Sequence, residues 1–594
     1  MHLQISLNEE HKAMLSGEKG RAKQMAMRLL LDMSATAGAT ELIAINSAHL
    51  SGVSPLTGGL GLRQFLSRLT ADPLAKVAVP TTLNSAGCDE AQFAEMLIAA
   101  PNFLEYNHEI VDQYSRLGVR PTQSCIPYEW EGVVSEGTAA WAESNAICFG
   151  NSYCGLQTNR ESGLSALACA LTGYAPYYGL LIEEMRQPNL DVTVSATLDD
   201  PTDFSILGDW IGKQRKNYWR MPYGPIPLIK GLKETPDHEQ KKALSAAAAN
   251  YGCPLLYLEG DAYPEPEFQD QLFFTAEALN QRYEELRPRA SVSLITIGCP
   301  QASVGEMRAV AQLLKGKEVR SEPAAGEETP PLWIFTSAAN KAIAEQIGLA
   351  EVIRNSGALL LENTCPEVVP YDKKWVKHIL TNSMKAEHYI KSGLNGIPTS
   401  VMSLADCLYI ATGERVIAEH EALSMGDKID KKAEAVHSDE KTAVDGPFSA
   451  RGSGLPSQSD FVVRGEAFVS PAPVTFLGYV NRETGVIEEE GHPRDGQSMS
   501  GKIAIFPKGS GSSVAPYVLL ELYYRDQAPL AILNTDIDQQ SAPACSLEGI
   551  PYAFGFDQDI IGGINQGDLI ALRREGDRVT ITVEKRATSG ADEV

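Results

Sequence analysis

A change of texture near residue 413 constrains this chain more than any other feature. Up to residue 412, apolar strand-like runs alternate with helical patterns. The following stretch, which includes GDKIDKKAEAVHSDEKTAVDGPFSARGSGLPSQSD, is polar, charged and rich in Gly, Ser and Pro. Such a composition buries too little apolar surface to form a core of its own and reads as a linker over 413–459. The chain then divides into a large unit, 1–412, and a small one, 460–594. With 594 residues, 43% of them apolar, there is material for several domains and sizeable cores.

Within the large unit, a helical pattern from Lys19 to Met33 precedes a strand at Leu42–Ile45. Lys76–Val79 reads as a strand leading into the loop Pro80–Asn84, and Gln92–Ala100 as a helix. Ser291–Ile297 is a strong strand pattern ended by Gly298. Ser303 then caps a helix whose Val304, Met307, Val310 and Leu313 recur at helical spacing. Trp333–Thr336 and Ala358–Leu361 are further strands, with a helix from Ala338 between them. This alternation predicts an α/β fold with mostly parallel strands. Beyond the linker, Phe461–Val463 and several short β-like runs, with turns such as Asn481–Gly485, predict a β-rich α/β domain ending in a frayed tail at 586–594.

Charge excludes some partners. A net charge of −25 and a pI near 4.9 argue against nucleic acid and anionic membrane surfaces. No apolar run reaches the roughly 18–20 residues a bilayer span needs. The opening MHLQISLNEEHKAML lacks the basic and apolar regions of a signal peptide. Ten cysteines scattered without a dense pattern read as reduced thiols, so a cytoplasmic protein is expected.

Several segments could carry chemistry. In GKIAIFPKGSGSSVAPYVLLEL (501–522) a strand gives way to a Gly/Ser loop and then a helix start. Such a turn aims N–H groups and the hydroxyls of Ser512 and Ser513 at one spot, and it suits an anion. It also reads as a plain surface turn, or more remotely as the nucleophile loop of a Ser-Ser-Lys amidase. Cys125, Cys299 and Cys365 each stand at a strand-to-loop boundary near a proline. Thiolates there could hold a metal at the edge where α/β proteins bind ligands, and three of them would leave an iron site open to substrate. Buried structural thiols are the competing reading. Cys148 and Cys154 are near neighbours that read equally as core. Arg160 in Thr158-Asn159-Arg160-Glu161 offers a rigid fork for a carboxylate, or a surface ion pair at a helix start. Lys385 and His388 share a helix face in Thr381–Tyr389, where His388 could act as acid or base or the segment could be a helix start capped by Asn382 or Ser383. His49 and Pro80–Ser85 are polar loops of the same kind.

Taken together, these segments resemble the aconitase X family over nearly the whole chain. The stretches that carry the resemblance are Glu9–Glu18, Val79–Asn84, Thr158–Glu161, Thr296–Pro300, Thr364–Pro366 and Thr381–Tyr389. In the small unit they are Gly485, His492-Pro493, Gly496–Ser498 and Gly509–Ser513. The resemblance implies an aconitase-like multi-layer large domain plus a C-terminal swivel domain, with an iron centre in the cleft. It implies Cys125, Cys299 and Cys365 as ligands of a [2Fe–2S] cluster, a [4Fe–4S] cluster or a single iron. No C-x-x-C pair is present to choose among these. It further implies Ser512 or Ser513 as the base and His388 as an aid to the leaving hydroxide, with Thr82, Asn159, Arg160, Lys385 and Lys508 around a small hydroxy amino acid. Fusion of the small unit favours cis-3-hydroxy-L-proline dehydration. Mevalonate 5-phosphate dehydration, or a non-catalytic iron-binding role, is the alternative.

Overall fold

The computed structural model describes residues 5–130, 132–133, 136–214, 223–323, 329–415, 446–536 and 538–587. Among the described residues the large unit holds three parallel sheets and an antiparallel pair, Leu42–Ala44 with Tyr174–Pro176. The first holds Thr81–Leu83, Ser47–Leu50, Gly137–Trp141 and Leu156–Gln157 side by side. The second holds Asp270–Phe274, Leu190–Val194, Pro227–Lys230 and Tyr257–Leu258. The third holds Leu359–Glu362, Leu332–Thr336, Leu294–Ala302, Ile379–Thr381 and Thr399–Val401. Parallel strands covered on both faces need apolar residues throughout rather than alternation, and the LWIFT strand is buried at every position. The expected α/β class is what the chain forms.

The C-terminal unit is a closed barrel of seven strands: Ser449–Gly454, Tyr552–Phe554, Ala531–Asn534, Ile503–Phe506, Val462–Val469, Leu569–Glu575 and Arg578–Lys585. Ser449–Gly454 falls inside the span read as linker. Its sequence, SARGSG, shows almost no apolar alternation, yet its backbone pairs with 578–582 and Ala450 is buried. Residues 416–445, the middle of that span, and 588–594 of the expected tail lie outside the described residues.

Local physics accounts for the other departures. The strand expected to stop at Gly298 runs on to Ala302. Gly298 sits at φ +101° in a register shift, and a Cβ there would lie 2.1 Å from the Phe335 carbonyl oxygen, so only glycine fits. Lys76–Val79 forms no regular strand. Val77 and Ala78 donate instead to the carbonyls of Leu117 and Ala170, and Pro80 has no N–H to give. The ladder therefore starts at Thr81. Gln92–Ala100 is a series of turns: Asp89 accepts from the Ala91 and Gln92 amides, and Leu97 lies at φ +51°. Ser303 caps its helix as expected, in a reciprocal box with Glu306, and Ser383 rather than Asn382 caps Met384–Lys391.

The barrel is docked on the large unit. Helix Pro55–Thr70 crosses helix Pro516–Tyr524 so closely that a Cβ on Gly61 would lie 2.4 Å from the Tyr517 carbonyl oxygen. Leu62, Phe65 and Leu66 share one core with Val518, Leu519 and Leu522. Polar ties ring this core. Arg68 pairs with Glu548 at 2.6 Å, and Arg482 donates to the Leu56 and Thr57 carbonyls. The buried Asp32 accepts the Ser457 amide and the Ser546 hydroxyl. Among the described residues no helix is long and apolar enough to cross a membrane.

Candidate active site

The carboxyl ends of the first and third sheets face the barrel across one cavity. Asn84 and Ser85 follow strand 81–83, Glu143 follows 137–141, Cys365 and Glu367 follow 359–362, and Lys385 follows 379–381. The barrel adds Ser512 and Ser513. Ligand-binding residues gather at this edge of parallel sheets because the loops there are free of the ladder.

A buried charge triad forms the floor. Lys385 Nζ donates to Glu143 Oε1 at 2.6 Å and to the Asn145 side-chain oxygen, and lies 3.6 Å from Glu367 Oε1. Burial opposes the ammonium, but Glu143, Glu367 and the nearby thiols overcome it and hold its pKa well above the ordinary lysine value. Burial raises the Glu367 carboxyl despite Lys385. Lys385 thus spends two of its three donors on Glu143 and Asn145 and offsets one of the floor's two carboxylate charges. Asn84 Nδ2 donates to Glu143 Oε2 at 2.5 Å, while Asn84 Oδ1 and Ser85 Oγ are buried with no partner. These two are unmatched polar atoms of cavity-lining residues.

The serine loop closes the cavity from the other side. Ser513 Oγ lies 3.1 Å from Ser51 Oγ, and the Ser513 carbonyl accepts the Gly163 amide. Both hydroxyls are buried. Ser512 is half-buried, and its Oγ accepts the Val514 amide at 3.5 Å. Arg160 Nη2 donates to the Gly511 carbonyl at 3.0 Å, and Asp538 accepts the Gly509 amide at 2.9 Å. Arg160 thus positions the loop, with its Nε buried and unpartnered.

Cys125 and Cys365 line the cavity, and Cys299 Sγ donates to Glu367 Oε1 at 2.9 Å. Burial pushes the Cys125 thiol up to about 11 and raises the Cys299 and Cys365 thiols well above the ordinary value, with Lys385 pulling the other way in each case. As a donor set, three thiols around one ammonium suit iron, which displaces the thiol protons when it binds. Among the described residues no three His, Cys, Asp or Glu side chains stand at metal-holding distance from one another. The fit to iron therefore rests on donor chemistry and on the convergence of the three cysteines on one triad.

Other expected site residues lie elsewhere. Asn159 donates to the Tyr178 carbonyl and accepts the Leu180 amide, which fixes its side chain against that segment, off the cavity lining. Thr82 bonds to His49 Nδ1 at 2.8 Å beneath the first sheet's edge. His388 packs edge-on against Tyr251 and Tyr389, and burial lowers its pKa to about 4, which leaves it neutral and outside the cavity lining. Lys508 is half-buried and also off the lining, its pKa lowered first by burial and then by Arg160. Sequence reasoning missed Glu143 and Glu367 as site residues, and reached Asn84 only as part of the polar loop Pro80–Ser85. Glu367 stands two residues after Cys365, which was a usable signal, whereas Glu143 had none.

Thiols and carboxylates on the sheet ends thus face serines on a separate barrel across one cavity. Family models of the aconitase X first domain match over residues 4–184, of the third domain over 292–413 and of the swivel domain over 457–582. The chain is 35% identical over 416 residues to the phosphomevalonate dehydratase large subunit of Methanosarcina mazei, covering 68% of this chain and 97% of that one. It is 31% identical over 422 residues to the cis-3-hydroxy-L-proline dehydratase of Pseudomonas aeruginosa, covering 68% and 69%. The crystal structure of Thermococcus kodakaraensis aconitase X in its holo-form aligns with 31% identity and a TM-score of 0.60, over 68% of this chain and all of that one. The chain belongs to the aconitase X family and is a dehydratase, a hydro-lyase.

Proposed function

We propose that this protein dehydrates cis-3-hydroxy-L-proline to Δ1-pyrroline-2-carboxylate. The cavity's charge carries the reading. Two buried carboxylates share one ammonium, so the floor suits a substrate that brings its own cation, the ring ammonium of a proline. Asn84 Oδ1 and Ser85 Oγ supply acceptors for its N–H groups. Chain layout supports it: the matched regions leave similar remainders, 32% here and 31% in the Pseudomonas enzyme, whereas the Methanosarcina large subunit is matched over 97% of its length.

Ser513, its own proton first lost to solvent, takes the proton at C2 as the alkoxide and becomes neutral, and Ser51 donates to that oxygen while it carries the negative charge. Arg160 and Asp538 fix the loop, which keeps that oxygen aimed at the cavity. The C3–O bond breaks, C2=C3 forms, and the departing hydroxide takes a proton and leaves as water. The enamine then tautomerises to the imine. Iron held by Cys125, Cys299 and Cys365, as a cluster or a single ion, would supply Lewis acidity for hydroxide departure.

A second reading, mevalonate 5-phosphate dehydration, draws on the Methanosarcina relative and on Arg160 and Lys508, whose charges act on each other beside the serine loop. Two cations there suit a phosphate. Anaerobically purified, iron-loaded protein offered both compounds separates the readings: consumption of hydroxyproline alone supports the first, and consumption of the phosphate ester alone the second.

A further inference from the structure

Gln301 is fully buried two residues after Cys299, and it ties together the segments that carry all three cysteines. Its side-chain Oε1 accepts the Cys125 amide at 3.3 Å. Its Nε2 donates to the Gln123 carbonyl at 3.2 Å and to the Thr364 carbonyl at 3.0 Å. Its own amide donates to Cys125 Sγ at 3.3 Å, and its carbonyl accepts from the buried Lys242 at 2.9 Å. Both protons of the side-chain amide are used.

The segments it grips share a feature. Gln123, two residues before Cys125, lies at φ +46°, and Asn363, two before Cys365, at φ +66°. Side chains beyond glycine meet a steric cost in this region, smaller for asparagine than for glutamine. One Gln301 bond ends on the carbonyl of the first, and the other on the carbonyl of the residue following the second. An amide that bridges two turns from a third strand sets the spacing of thiols on all three.

We propose that Gln301 is a positioning residue that holds the Cys125 and Cys365 thiols in register with Cys299. For iron binding this rests on the reading of those thiols as ligands. Outer-shell groups of this kind typically change metal affinity or activity 10–100-fold.

The test is Gln301→Met, which keeps length and packing and removes the amide bonds, with Gln301→Asn to be read if the Met variant does not fold. Two readouts separate the proposal from the iron reading. In metal-free protein, alkylation by iodoacetamide, mapped by mass spectrometry, should rise at least fivefold at Cys125 and Cys365. Cys407, buried in a core of the third sheet, should be unchanged and thereby exclude general loosening. In protein loaded anaerobically with ferrous iron, with sulfide where a cluster is assembled, iron affinity should fall at least tenfold and the sulfur-to-iron absorption bands should shift. Unchanged alkylation at Cys125 and Cys365, or a rise matched at Cys407, overturns the proposal. Wild-type protein that binds no iron defeats the iron reading, and alkylation alone then decides for or against Gln301.

Discussion

Replacing Lys385 with methionine should destabilise the protein strongly, to an extent that depends on pH. Lys385 is 4% exposed, and its ion-pair partners Glu143 and Glu367 are 11% and 12% exposed, at 2.6 and 3.6 Å. Methionine keeps most of the stem's packing, so the loss is chiefly electrostatic. Breaking a buried pair by removing one partner costs about 3–5 kcal/mol, and here two carboxylates are left facing each other. Because burial already raises Glu367, the variant can relieve the repulsion by taking up a proton. Its deficit is therefore largest near pH 8 and shrinks toward pH 5.5. Urea midpoints at both pH values measure this, with Glu143→Gln and the double variant completing a cycle. The double variant should recover about 1–3 kcal/mol relative to additivity. A Lys385→Met protein with wild-type midpoints at both pH values, or a strictly additive cycle, would refute the charge triad.

Ser513→Ala should lower turnover by about 10²–10⁴-fold while leaving the melting temperature near wild type, and Ser512→Ala by less than tenfold; steady-state rates in which Ser512→Ala is the more damaged reassign the base. His49 is buried with its pKa lowered to about 4 from 6.5, by burial against the opposing pull of Glu143. The unfolded chain therefore binds this proton first, and stability is lost as pH falls from about 6.5 to 4, by about 3 kcal/mol at full extent; His49→Gln should flatten that limb of a stability–pH curve. Gly61→Val drives a side chain into the Tyr517 carbonyl, so it should part the two helices, cost upward of about 2 kcal/mol and abolish activity; a crystal structure with the barrel undisplaced and normal turnover would contradict this.

The alternation of apolar runs with helical patterns was enough to read the parallel sheets, because buried parallel strands such as Leu332–Thr336 need side chains of one kind throughout. The barrel's first strand was hidden for the opposite reason: Ser449–Gly454 is held by its ladder partners rather than by its own apolar content. In the site, Cys125, Cys365, Ser512 and Ser513 stood out by residue type in loops after strands, Lys385 by the helix face it shares with His388, and the family resemblance joined them; they meet in one cavity. Their roles were less legible. Lys385 has carboxylate partners that only the folded site reveals, and Arg160 a bond to Gly511, 351 residues away in sequence. His388 and Asn159 sit in motif-rich segments, yet they stand off the cavity lining, one among aromatic rings and the other on backbone bonds. Glu143 stands out in no local pattern, because its significance comes from the approach of the third sheet.

The most direct measurement offers anaerobically purified, iron-loaded protein cis-3-hydroxy-L-proline carrying deuterium at C2, and follows formation of Δ1-pyrroline-2-carboxylate. Turnover in wild type that is slowed by the deuterium and lost in Ser513→Ala is the predicted result. Full turnover in Ser513→Ala, or no consumption of hydroxyproline by a preparation that dehydrates mevalonate 5-phosphate, would contradict it.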